Sequence, residues 1–344
     1  LNFERNLALT EKGLECHFLY FNNPKHVDFD EHGNVHLTNN DDEIKRLLQK
    51  HQYDAIIVCT DYHFLERLRN IGFDGNLVYE IQGLGSYLAT VNWLEKSQIF
   101  VNKYADAILY PKTEFLDVLI KKYYINKKLF SFHNCIDTNL FNYIEVPKPK
   151  HTIIGWAGRL DKNKNWNEFL MIGAFLLKNL PNLRLWLFHD PTVCSKNEKK
   201  AFSRWVKKLG LTKALVVHEN VPRNKMPLYY SMIAKSGGIL CSTSKLEGFG
   251  YAVVEAMCCK CPVLTTRSGG VESFVFHNKT GKLYDQGNID CGVSEAKDLI
   301  VNSNLREEII QEASRLIGTS FTSEEYASHF AEMLKMLFKE EFRN

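Results

Sequence analysis

The 344 residues include 43 lysines and arginines against 40 aspartates and glutamates, a formal charge of +3. So small an excess over this length argues against a dedicated nucleic-acid binder, and 45% hydrophobic with 24% charged residues is a globular balance. The length is too great for one core and suits two domains. The nine cysteines are odd in number and sit in apolar runs, as in IIVC ending at Cys59 and ILC ending at Cys241. Buried reduced thiols fit this better than a disulfide framework, which points to a reducing compartment. No apolar run reaches the ~18–20 residues that cross a bilayer, and no signal peptide is visible. A cytoplasmic location is expected, with peripheral contact at the inner membrane face left open.

LNFERNLALTEKGLE reads as a helix ending near Gly13. A doubly wound domain begins with a strand, so one strand and its loop are expected ahead of Leu1. From there to about Phe132, apolar runs at 16–21, 55–59, 76–81, 106–110 and 128–132 alternate with helical patterns at 42–51, 63–70, 87–104 and 113–123. That alternation predicts a parallel sheet covered by helices. NYIEVPKPKH, with two prolines and no period, reads as a linker.

The alternation then restarts. Strands are expected at 152–157, 183–188, 214–218, 237–241 and 262–265, and helices at 166–179, 197–209, 224–232, 251–259 and 305–316. SEEYASHFAEMLKMLF forms a final amphipathic helix. The fold class is therefore α/β, with two Rossmann-like doubly wound domains facing a cleft. The first is placed at 1–147 and the second at 148–318, with a helix in 319–344 returning to the first. Ligands of such sheets bind at the carboxyl ends of the strands.

Two segments fall at such ends. In STSKLEGFGYAVVEAM a strand ends near Cys241, and the turn Glu247-Gly248-Phe249-Gly250 feeds a helix from Tyr251. Glycines permit close backbone approach, and a helix N-terminus offers free N–H groups and a positive dipole. Such a turn can also be plain punctuation between strand and helix. In WAGRLDKNKNWNEFL, Gly158 turns the chain after a strand, and Arg159 and Lys164 precede a helix. Paired cations there suit a diphosphate.

EGFGYAVVEAM resembles the signature of retaining glycosyltransferases of family 4 (group 1): a Glu with GFG after it, and a second Glu eight positions on. The resemblance implies a GT-B fold and sugar transfer from a nucleoside-diphosphate sugar with the anomeric configuration retained. It places Glu247 by the sugar, Glu255 on the ribose, and Arg159 and Lys164 on the diphosphate. Gly158, Gly248, Phe249, Gly250, Asp190 and Val221 would complete the donor site. Further matches cover most of the chain: ADAILYPKTEFLD through NCIDTNLF (105–141), ENVPRNKMPLYYSM (219–232) and SGGVESFVFHNKTGKLYD (268–285). In the last, Glu272 is read as structural.

The departures are specific. Asn165 stands where the family usually has Gly. Gln82, followed by Gly83-Leu84-Gly85, stands where it usually has His. Gln can bond a sugar hydroxyl but cannot act as a base. Phe188-His189-Asp190-Pro191 replaces the family's G-D-G-P near the base pocket. Gln82, Gly83 and His63 form the expected acceptor side, for a saccharide, lipid-linked or small-molecule acceptor. No cofactor and no metal are expected. Asp28-Phe29-Asp30 lies far from the donor elements, and Cys258-Cys259-Lys260-Cys261 cannot supply four tetrahedral ligands alone. The lysines and tyrosines of KKYYINKK (121–128) could touch an anionic membrane or form a solvated face. The oligomeric state is left open. A catalytically inert sugar-nucleotide-binding subunit and a GT-B-fold sugar-nucleotide 2-epimerase remain the other readings.

Overall fold

The computed structural model describes residues 2–22, 34–85 and 87–338. The first half runs α1 (Asn2–Glu11), β1 (Phe18–Tyr20), β2 (Val35–Leu37), α2 (Asp41–His51), β3 (Ala55–Cys59), α3 (Tyr62–Asn70), β4 (Asn76–Glu80), α4 (Tyr87–Tyr104), β5 (Ala107–Tyr110), α5 (Glu114–Tyr123) and β6 (Lys128–Ser131). Strands β3 to β6 form a parallel sheet in sequence order, while among the described residues β1 and β2 pair only with each other. Every residue of β4 is buried, as expected for a strand covered on both faces. The helices start on side-chain caps: Asn40 accepts from the amides of Asp42 and Glu43 before α2, and Thr113 from Leu116 before α5.

The second half runs β7 (Thr152–Ala157), α6 (Trp166–Asn179), β8 (Leu183–His189), α7 (Lys196–Lys208), β9 (Leu215–Glu219), α8 (Met226–Lys235), β10 (Ile239–Ser242), α9 (Tyr251–Cys258), β11 (Val263–Thr266), β12 (Lys282–Tyr284), α10 (Ile289–Val301), α11 (Ser303–Ser320) and α12 (Ser323–Phe338). Its six parallel strands are ordered β12-β11-β10-β7-β8-β9. Ile233, Val254 and Val275 fill the core on one face, and Phe169, Leu170 and Leu176 on the other. Both halves thus have the parallel α/β construction expected from the alternation, and the second, with its strand order reversing between β7 and β10, is doubly wound.

Strands β2 and β12 and helix α10 were not expected. The two strands have three residues each, too few to show a period. Helix α10 contains Gly292, whose missing side chain lets Ile172 and Tyr284 pack within about 3 Å of where a Cβ would stand. The expected end of the second domain at 318 falls inside α11, which continues to Ser320. The chain crosses back at Phe321, whose carbonyl accepts from the Ile136 amide at 2.9 Å. In α12, Tyr326, Phe330 and Met333 then pack with Leu9 of α1, Val78 of β4 and Leu109 of β5.

Asp28–Asp30 lie outside the described residues. Cys259 and Cys261 are packed in the apolar core, and burial pushes the thiols of Cys258 and Cys261 up to about 12, so neither offers a thiolate at neutral pH. In KKYYINKK the tyrosines turn inward: Tyr124 bonds Ser97 Oγ at 2.6 Å and Tyr123 donates to Glu95. They are therefore not interfacial aromatics, and Lys121, Lys122, Ile125 and Asn126 are what that segment exposes. Among the described residues no helix is long and apolar enough to cross a membrane.

Candidate functional site

The carboxyl ends of β7, β8, β9 and β10 lie along one edge of the second sheet, and the loops leaving them hold the expected donor-side residues. The loop after β7 is stitched to the loop after β10. Lys245 N donates to Asn163 O at 2.7 Å, and Asn163 Nδ2 donates to Leu246 O at 3.0 Å. The Thr243 hydroxyl lies 3.1 Å from Lys164 O and 3.0 Å from Asn165 O while accepting from Trp156 Nε1. Asn165 has a left-handed backbone, φ +53°. Asparagine is among the few non-glycine residues that tolerate this region, which accounts for its replacing the family's glycine.

This stitching brings Lys164 and Glu247 together. Lys164 Nζ donates to Glu247 Oε1 at 2.6 Å, with both side chains mostly buried. The Glu247 backbone is pinned as well, its amide donating to Ser268 O and its carbonyl accepting from Gly270 N. Gly250, at φ +99°, turns the chain into α9 with no side-chain cap, so the first amides of that helix are left for a ligand. Phe249 is different. Its ring is buried against Tyr251, Phe274 and Phe321, so only its backbone belongs to the turn.

The other residues stand further apart. Arg159 is 62% exposed and pairs with Asp161, Nε to Oδ2 at 3.1 Å. Gly158 N donates to Phe188 O at 3.0 Å, tying the turn to the adjacent strand. Asp190 caps the turn after β8, accepting from Thr192 N at 2.7 Å. Val221 packs half-buried on the core. Glu272 accepts from Gly269 N in a capping interaction, a structural arrangement. Glu255, on α9, faces a different group: Tyr230 Oη donates to its Oε2 at 3.2 Å. Burial pushes its carboxyl up to about 7; the charge of Glu4 adds to this, and that of Arg223 opposes it.

The first half meets this site directly. A Cβ on Gly248 would lie 2.5 Å from Gly83 Cα, so the QGLG loop and the EGFG turn touch backbone to backbone. Gln82 is held at both ends of its amide, donating to Glu80 Oε1 at 2.7 Å and accepting from Asn134 Nδ2 at 3.0 Å. Glu80 in turn takes Arg5 Nη1 at 2.8 Å in a buried bidentate pair. His63 is exposed at the start of α3, its ring edge-on to Phe100. A second link is Arg223 to Glu4, Nη2 to Oε1 at 2.5 Å, with Glu4 also accepting from Asp137 N.

Glu4, Arg5, Glu80, Asn134, Arg223 and Tyr230 were missed in the sequence. Apart from Gln82, two residues from Glu80, their partners lie 25 to 219 residues away, beyond any local spacing. One signal was present: Glu80 ends a strand with no exposed residue, and a buried carboxylate demands a partner.

Comparison with known proteins agrees with this architecture. The sucrose-phosphate synthase of Thermosynechococcus elongatus superposes with a TM-score of 0.80 at 16% identity, over 98% of this chain and 92% of that one. HepE from Anabaena, solved in complex with UDP-glucose, gives 0.74 at 18% identity over 89% and 86%. Among curated relatives, the "Probable sucrose-phosphate synthase" of Thermosipho melanesiensis is 30% identical over 51% of this chain and 40% of its own length. A glycosyltransferase of Haemophilus influenzae is 26% identical over 78% and 68%. The match thus spans well under two thirds of the first of these relatives. The family model of the group 1 glycosyl transferases matches residues 141–316, just over half the chain and the whole donor-side edge; the chain belongs to that family.

Proposed function

We propose that the protein transfers a sugar from a nucleoside-diphosphate sugar to a saccharide, lipid-linked or small-molecule acceptor, retaining the anomeric configuration and needing no metal. The observation that supports this most is the Lys164–Glu247 pair beside the uncapped start of α9, facing the QGLG loop. Lys164 and Arg159 would offset the charge that develops on the departing diphosphate. The amides of Gly248 to Gly250 would hold the diphosphate and sugar hydroxyls. Glu247 would orient the sugar and Glu255 the ribose. The acceptor would enter over Gly83 and His63, with Gln82 fixed between Glu80 and Asn134. Glu247, the carboxylate placed by the sugar, is paired with Lys164, which favours same-face attack assisted by the leaving phosphate over its use as a nucleophile.

Because HepE was solved with UDP-glucose, UDP-sugars head a thermal-shift screen that also includes GDP-, ADP- and TDP-sugars. A donor that binds only the folded chain raises the midpoint. Product analysis by NMR with the selected donor then shows a glycoside of unchanged anomeric configuration. Tight donor binding without turnover on a broad acceptor panel would instead mark a binding subunit, and a C2 epimer formed from donor alone would mark an epimerase.

The backbone contact between halves gives a sharper prediction. Gly248→Ala sets a methyl group against Gly83 and forces the two loops apart. Initial-rate kinetics are expected to show kcat/KM reduced about a hundredfold, the scale of a misplacement of about 1 Å, and a lowered thermal midpoint, because the obstructing atoms are backbone.

A further inference from the structure

Three histidines meet away from the site described above. His17 precedes β1, His36 lies in β2, and His51 ends α2. The strands are parallel, and β3 begins four residues after His51, so this is the amino-terminal end of the first half's strands, opposite the carboxyl end whose QGLG loop meets the Glu247 turn. One ring nitrogen from each histidine falls within a 4.8 Å cluster. His17 Nδ1 and His36 Nε2 are 3.2 Å apart. That matches the edge of a tetrahedron with metal–nitrogen bonds of 2.0–2.1 Å, about 3.3 Å.

The hydrogen bonding around the cluster is unbalanced in a way that a cation would correct. Glu15 Oε1 lies 2.9 Å from His17 Nε2, and as a carboxylate can only accept, so that nitrogen is the donor of the pair. The lone pair of Nδ1 is then directed inward. Both Tyr53 Oη, at 2.9 Å, and His36 Nε2 converge on that single acceptor. Among the described residues His51 Nε2 is buried with no partner, although a buried polar atom without a bond is costly. A carboxylate behind a ligating imidazole is the usual outer support of a metal-bound histidine.

We propose that His17, His36 and His51 bind one divalent transition-metal ion of the Zn2+ class, with Glu15 orienting His17 and the Tyr53 hydroxyl or a water in the fourth position. The ion is structural. It joins β1 and β2, two three-residue strands that among the described residues pair only with each other, to α2, and so small a pair is marginal by itself.

The test uses the full chain, stripped with a chelator and titrated with ZnCl2. One equivalent is expected to bind by calorimetry, and a hundredfold excess over Kd raises the melting midpoint by about 5 °C. Co2+ in place of Zn2+ gives the intense visible absorption of a four-coordinate site. His36→Gln with His51→Asn abolishes the heat, the shift and the colour. Glu15→Gln leaves all three ligands in place and weakens binding about 10–100-fold, which covers the case of a double variant that folds poorly. The donor-induced thermal shift stays unchanged in both variants, as it must if the two sites lie at opposite edges. Absence of stoichiometric binding by Zn2+ and Co2+, or binding that survives both variants, overturns the proposal.

Discussion

Glu247→Gln loses about 10²–10³-fold in kcat, the range for removing one fixed electrostatic group from a transition state. The substitution is nearly isosteric, so the turn held by Ser268 and Gly270 stays in place. What changes is the partner of Lys164, whose ammonium is mostly buried and bonded to Glu247 Oε1 at 2.6 Å. With a neutral amide beside it, that ammonium is drawn toward the diphosphate already in the ground state. KM for the donor therefore falls or holds while kcat drops, the pattern of lost transition-state binding. Lys164→Ala costs a similar factor, and the double variant costs little more than either alone, because the two residues act as one unit. Arg159→Ala costs less, since Arg159 is exposed and already shared with Asp161. Steady-state kinetics on the four proteins decide this. Additive losses, or near-normal rates in Glu247→Gln, would refute the pairing as part of the chemistry.

Much of the architecture follows from local pattern. The buried run 76–80 reads as a covered strand because both its faces meet helices, and EGFG before an apolar helix reads as a ligand-facing turn because glycine and a bare helix start have few other uses together. Lys164 and Glu247 could each be named from their motifs, but not their direct bond, which joins residues 83 positions apart. Phe249 shows the reverse limit. Its place in the motif says that the backbone passes the ligand, while its ring serves the core with Phe274 and Phe321. The tyrosines of KKYYINKK fail similarly, since amphipathic helix α5 turns Tyr123 inward and the loop after it buries Tyr124. The contacts between the halves, Glu4 with Arg223 and Gly83 with Gly248, leave no local trace because only the assembled fold brings them together.

Glu255→Gln tests a residue whose cost to the free protein is itself a sign of use. Burial raises its carboxyl to about 7 from the ordinary 4.5, so the unfolded chain gives up this proton more readily than the folded one. Below pH 4.5 both states hold the proton and nothing is lost. As pH rises from 4.5 through 7, the folded state is progressively disfavoured, and above 7 the full difference, about 3 kcal/mol, is present. The glutamine variant has no such titration and can still accept from Tyr230 Oη. Its melting midpoint is therefore expected to match the wild type at pH 5 and to exceed it by several degrees at pH 8. Donor affinity moves the opposite way. Ribose hydroxyls donating to the ionised carboxylate favour that form, so wild-type affinity climbs between pH 5.5 and 8, while the variant's stays flat and is weaker by the roughly 1.5–3 kcal/mol of a bond to a charged group. Stability and affinity profiles that run parallel with pH in the two proteins would remove Glu255 from the donor site. Opposed profiles would mean that the fold tolerates a strained carboxylate because the nucleotide relieves it.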